Sequence, residues 1–183
     1  MNIRRRGAAL LLAIVIMLLA FTGCAGQGSL AQTTASVSSI ADTGITEKTS
    51  PSCTLIVDCS TLKDNMDLLD ADKVDLVPED GILLRVEQAE LAEGESVFDV
   101  LQRETRNAKL HMEFQNTPGV GSYIQGIGNL YEMDAGELSG WLYRVNGEFQ
   151  GIAASEYILK DGDVVEYLYT CDMGADVGNS FNG

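Results

Sequence analysis

The chain has 183 residues, with 27 acidic and 12 basic side chains and a net charge of −15 at neutral pH. So large an acidic excess repels phosphate backbones and anionic lipid headgroups, and it excludes nucleic acid as a partner. The length suits one domain of ordinary size plus terminal segments.

Arg4, Arg5 and Arg6 precede an uninterrupted apolar run from Ala8 to Phe21, the charged start and short core of a secretory signal. The run is too short for a comfortable membrane span of about 20 residues. The following "FTGC", residues 21–24, resembles the lipobox of bacterial lipoproteins, with Phe21 where leucine is usual. That resemblance implies a signal peptide over 1–23 and lipidation of Cys24, with two or more acyl chains giving stable anchoring. Without residues 1–23, 9 basic side chains face 27 acidic ones, a charge of −18. The expected location is the outer face of the cytoplasmic membrane, lipid-anchored and extracytoplasmic.

Ala25 to Pro51 contains ten Ser or Thr and no aromatic residue. It lacks the apolar surface to order itself, so 24–51 reads as the lipidated cysteine and a flexible tether, with an r.m.s. reach of about 30 Å. "CTLIVDC", 53–59, alternates Cys53, Leu55, Val57 and Cys59 against Thr54, Ile56 and Asp58, the period of a half-buried strand. In "DNMDLLDADKVD", 64–75, Leu62, Met66 and Leu69 fall at helical spacing, which makes the aspartates a solvated helix face. The stretch lacks the glycine and terminal glutamate of an EF-hand loop.

"ILLRVEQAEL", 82–91, is a second strand after the Pro78 and Gly81 turn signals. Ser96 with Asp99 forms a capping box ahead of Val97, Val100, Leu101 and Ala108, which predicts the main helix over 96–109. "LHMEF", 110–114, alternates again, with His111, the only histidine, on the polar face. "GWLYRVNG", 140–147, is a strand ending in an Asn-Gly hairpin signal, and "GDVVEYLYT", 162–170, follows an Asp-Gly turn. Strands on either side of one helix indicate an α+β domain.

"PGVGSYIQGIGNLY", 118–131, stands apart, with four glycines from Gly119 to Gly128 and Tyr123, Ile124, Ile127 and Tyr131 among them. Glycine is kept where φ is positive or backbone comes close to something else. This loop is therefore either a sharp structural crossing or one wall of a binding site. Its glycine spacing does not match a dinucleotide fingerprint. Catalysis is not indicated: there is no G-x-S-x-G, and a triad would have to use His111.

"GESVFDVLQ", "LHMEFQNTPG", "GNLYEMDAGELSGWLYRVNG" and "YILKDGDVVEYLYTCDMG" closely resemble bacterial surface proteins with a transcobalamin-like C-terminal domain, a domain family of unknown function. The resemblance covers about Cys53 to Gly178 and places this domain at 52–178, with a flexible tail at 179–183. It implies a small β-grasp-like sheet packed on one main helix. It also implies half of a two-sided corrinoid site, because the related domain of the animal vitamin B12 carriers closes over one face of the ligand. The ligand-binding residues expected on this basis are Tyr123, Ile124 and Tyr131 for stacking, Gln125 and Asn129 for peripheral amides, and Trp141 and Phe149 as further aromatic surface. A lone tryptophan on a period-two strand usually packs in the core, which is the other reading of Trp141. First and last strands that run parallel and adjacent, as in a β-grasp sheet, put Cys59 and Cys171 at neighbouring exits. That pair is the expected disulfide, leaving Cys53 free.

The function expected from these residues is non-enzymatic: a membrane-anchored protein that captures a cobalamin-like corrinoid and passes it to a vitamin importer in the same membrane. No cofactor is implied beyond that ligand. A cell-surface adhesion or assembly module contacting protein or glycan is the alternative.

Overall fold

The computed structural model describes residues 50–179. The expected signal peptide, Cys24 and nearly all of the tether lie outside the described residues, as does most of the 179–183 tail. The described strands are β1 (Ser52–Asp58), β2 (Ile82–Glu90), β3 (Met112–Thr117), β4 (Gly121–Ile127), β5 (Leu130–Tyr131), β6 (Gly140–Val145), β7 (Glu148–Phe149) and β8 (Val164–Thr170). One α-helix, α1 (Val97–Asn107), joins β2 to β3. The domain is thus a mixed α+β fold dominated by sheet, as the sequence pattern indicates.

The main sheet has the order β2-β1-β8-β6-β7 and the smaller one β3-β4-β5. At the centre of the main sheet β1 and β8 run parallel, from Thr54 opposite Val164 to Asp58 opposite Leu168. Alternation along β1 buries Cys53, Leu55 and Val57, and β8 adds Val165, Tyr167 and Tyr169 to the same core. Helix α1 closes this core with Val97, Phe98, Val100 and Leu101. Ser96 accepts from the Asp99 amide and Asp99 accepts from the Ser96 amide, so the capping box read from the sequence is formed. Strand β2 is an edge, and its Arg85, Glu87 and Glu90 discourage pairing with a further chain.

Three expectations are corrected here. The acidic stretch is not a helix: two short 3-10 turns, Ser60–Asp64 and Val74–Leu76, flank a series of turns. Leu62 and Leu69 are buried as the spacing suggested. Asp64, Asn65, Asp67, Asp70 and Asp72, however, favour local turns over helix interior. The glycine-rich stretch is not a loop either. It forms strand β4, hydrogen-bonded to β3 on one side and β5 on the other.

The third correction is the disulfide, since Cys53, Cys59 and Cys171 are all free thiols. The strands are adjacent and parallel as expected, but their register sets Cys59 level with Tyr169, so Cys171 lies two residues further along. That offset corresponds to a Cα separation of about 8 Å, beyond bonding range. Cys59 instead donates to the Gly81 carbonyl at 3.3 Å. Burial raises the thiols of Cys53 and Cys171 to about 11 and that of Cys59 to about 12, so all three stay protonated near neutral pH.

Ser96→Ala removes the cap and is expected to lower unfolding free energy by about 1 kcal/mol in a denaturant titration. Alkylation of the intact protein at pH 8 is expected to be slow at Cys171 and slower still at Cys53 and Cys59, becoming rapid at all three in denaturant. Peptide mass spectrometry reads the order directly.

Candidate functional site

Strand β6 lies beside β8 with Trp141 opposite Tyr169 and Tyr143 opposite Tyr167, so four aromatic rings share one sheet face. Trp141 meets Tyr169 edge-on with centroids 5.1 Å apart, and Tyr143 stacks on Tyr167 at 5.8 Å. Both buried polar tips at the first pair reach the small sheet. The Trp141 indole donates to the Leu130 carbonyl at 2.9 Å, and the Tyr169 hydroxyl donates to the Tyr131 carbonyl at 2.7 Å. These bonds hold the β4–β5 hairpin against β6.

Between hairpin and sheet lies a cleft of about 290 Å³. Tyr123 and Ile124 of β4 form one wall, Trp141 and Tyr143 of β6 the opposite one, and Phe149 with Ile152 the rim. Ala153, Ala154 and Tyr167 also line it. Among the described residues no charged side chain contributes to this lining. Tyr123 is 53% exposed and donates to a Glu132 carboxylate oxygen; burial first, then that hydrogen bond, raises its phenol to about 12. The Tyr143 hydroxyl donates to the Ile152 carbonyl at 2.8 Å, tying strand β6 to the segment after β7.

Two glycines make this arrangement possible. At Gly121, with φ +102°, a Cβ would stand 2.4 Å from the Ala153 Cβ, so only glycine lets β4 approach that close. At Gly126 a Cβ would enter the Tyr131 ring at 2.5 Å. The two readings of the stretch are thus both present: close backbone crossing at these glycines and a cleft wall at Tyr123 and Ile124.

The structure gathers Tyr123, Ile124, Trp141 and Phe149 from the expected set and places Gln125, Asn129 and Tyr131 elsewhere. A bulge between the Glu113 and Phe114 pairings leaves Gln125 without a partner in β3 and takes the rest of the hairpin away from the cleft. Asn129, at the β4–β5 turn, accepts from Lys73 Nζ through its carbonyl at 3.0 Å. Tyr131 lies under the same Lys73, 5.1 Å from its ring centroid, and its hydroxyl is 2.9 Å from His111 Nε2. Sequence reasoning missed Ile152, Ala153 and Ala154. The signal was the small apolar run "GIAA" where a connection would ordinarily be polar.

Tyr123, Trp141 and Leu142 also border a second hollow of about 270 Å³. It is edged by Met133, 65% exposed, Leu138, 49%, and Met173, 71%. Met133 and Met173 both hold positive φ, at 70° and 46°, in conformations that methionine seldom adopts.

A family model described as a domain of unknown function (DUF4430) matches residues 94–170, which span α1 through β8. Among solved structures, the chain is similar to haptocorrin in complex with Cbi at 15% identity and a TM-score of 0.47, covering 66% of this chain. It spans a quarter of that protein, 25% of its length. A second similar structure, a candidate metal binding protein from Ruminococcus gnavus ATCC 29149, aligns at 15% identity and a TM-score of 0.42, over 66% of this chain and 96% of that one. No curated protein matches the sequence.

Tyr169→Phe, which removes the hydroxyl shared between Tyr131 and Ser139, is expected to cost about 1–2 kcal/mol of stability and to shift the Trp141 emission maximum. Thermal unfolding followed by intrinsic fluorescence measures both.

Proposed function

We propose that this protein is a lipid-anchored, extracytoplasmic binding protein that captures a corrinoid-like flat ligand for uptake, without catalysis. The uncharged aromatic cleft between β4 and β6 carries this reading. In a chain so strongly acidic, a concave surface lined by tyrosine, tryptophan, phenylalanine and aliphatics, with only the uncharged Ser122, Gln150 and Asn179 as further polar groups, suits a neutral, largely apolar molecule. The ligand class comes from the sequence resemblance to transcobalamin-like C-terminal domains, and with it the β-grasp-like description of the sheet.

The volume limits how such a ligand binds. At about 290 Å³ the cleft lies at the lower end of ordinary small-molecule sites, so it receives an edge of a large macrocycle and does not enclose one. The rest of the ligand lies across the exposed ring of Tyr123 and the half-buried ring of Phe149. A second protein or domain covers the open face in this arrangement. Delivery to an importer in the same membrane is the use of the lipid anchor expected at Cys24.

The exposed Met133–Leu138–Met173 ledge favours a second reading, an adhesion or assembly module contacting protein or glycan. Methionine-rich surfaces adapt to many partners, and this one adjoins the cleft at Tyr123 and Trp141.

Titration of the intact protein with cobalamin and with cobinamide separates the two readings. Trp141 is the chain's one tryptophan and lines the cleft, so capture is expected to quench its fluorescence and shift the corrinoid absorption bands. Phe149→Ala is expected to weaken binding about five- to tenfold. No spectral change at high micromolar corrinoid rejects the capture reading.

A further inference from the structure

The hydroxyl of Tyr167 is the one buried side-chain polar atom among the described residues that has no hydrogen-bond partner. A buried phenol without a partner is costly, and tyrosines in cores usually find one. Tyr167 is 1% exposed, stacks beneath Tyr143 and lines the cleft. Its neighbour Tyr169, two residues along the same strand face, satisfies its own hydroxyl twice, with the Tyr131 carbonyl and the Ser139 hydroxyl. Phenylalanine at 167 would keep the stacking and remove the unsatisfied group. The hydroxyl therefore has no internal partner, while Tyr167 itself lines the cleft that four expected ligand residues share.

Burial holds this phenol well above its ordinary value of 10, so the group keeps its proton and donates. The lining offers no cation, so an anionic acceptor brought here would be buried without a counter-charge.

We propose that the Tyr167 hydroxyl is the polar anchor of the cleft, donating to a neutral carbonyl oxygen, of the carboxamide type, at the buried edge of the bound ligand. The proposal rests on the reading of the cleft as a ligand site and deepens it. The selected ligand is flat and apolar in body, edged with uncharged amides, and discriminated from the corresponding carboxylic acid. The Tyr143 hydroxyl, on the ring stacked against Tyr167, is itself satisfied by the Ile152 carbonyl.

The test uses three probes small enough for the cleft, namely benzamide, benzoate and toluene, titrated into the intact protein while the Trp141 indole N–H resonance is followed. Benzamide is expected to bind more tightly than toluene, and benzoate at least tenfold more weakly than benzamide. Tyr167→Phe is expected to weaken benzamide about five- to tenfold and leave toluene unchanged. The ligand-free variant is expected to unfold at or above the wild-type temperature, because the hydroxyl removed makes no internal bond.

Equal binding of benzamide to both proteins, benzoate binding as tightly as benzamide, or a clear loss of thermal stability in the variant each overturns the anchor. Failure of benzamide to perturb Trp141 in the wild type overturns it as well. The outcome is independent of the corrinoid titration: benzamide selectivity without corrinoid binding keeps the anchor and removes the macrocycle, and the reverse result removes only the anchor.

Discussion

The fold and its cleft depend on two hydrogen bonds that leave the main sheet. Trp141 and Tyr169 each combine an apolar ring that fills the core with a polar tip that must be satisfied once buried. Both tips are satisfied by backbone carbonyls of β5, at Leu130 and Tyr131. The small sheet has few other means of fixing its angle to the large one, since β5 is only two residues long. The aromatic pair therefore sets how far β4 stands from β6, and hence the width of the cleft. Gly121 fixes the other end of the same wall through its close approach to Ala153.

Charge and burial are distributed unevenly around this frame. Arg144 pairs with Glu166 through two short bonds, of 2.6 and 2.7 Å, on the face of β6 opposite Trp141 and Tyr143, and its guanidinium lies 5.9 Å from the ring of its cross-strand neighbour Phe149. Arg103 is committed to Glu95, Glu104 and the Glu90 carbonyl beside α1. These few cations are thus tied to structural carboxylates, and the surface stays strongly acidic while the cleft stays neutral. Such a pattern rejects anionic small molecules at two levels, by long-range repulsion and by the lack of a partner once inside.

Strand periodicity and helix capping were legible in the sequence because they are local. Cys53, Leu55 and Val57 alternate on β1, and Ser96 with Asp99 marks the start of α1 to the residue. The α+β character followed from their order, and the parallel pairing of the first and last strands from the resemblance. What stayed hidden depended on register. Cys59 and Cys171 sit at the exits of paired strands, yet a two-residue offset, which no spacing in the sequence reveals, keeps them apart. Likewise Tyr123 and Ile124 reach the cleft while Gln125, Asn129 and Tyr131 do not, because one bulge interrupts the period-two rule midway along β4. The Tyr143–Tyr167 stack needed the pairing of β6 with β8, and the wall at Ile152–Ala154 comes from a connection whose small residues carry no periodic signal.

The pairing of β1 with β8 has a consequence for how the molecule comes into being. Thr54 meets Val164 across 109 intervening positions, so the first described strand waits for the last one. Until residue 170 emerges, Leu55 and Val57 have only an edge strand beside them, and the nascent polypeptide lacks a nucleus that closes the main sheet. Contacts this distant form slowly, because a long stretch must be gathered before any reward arrives. Closure of the main sheet is thus a late event in folding, because it awaits the strand that joins β1 to β6.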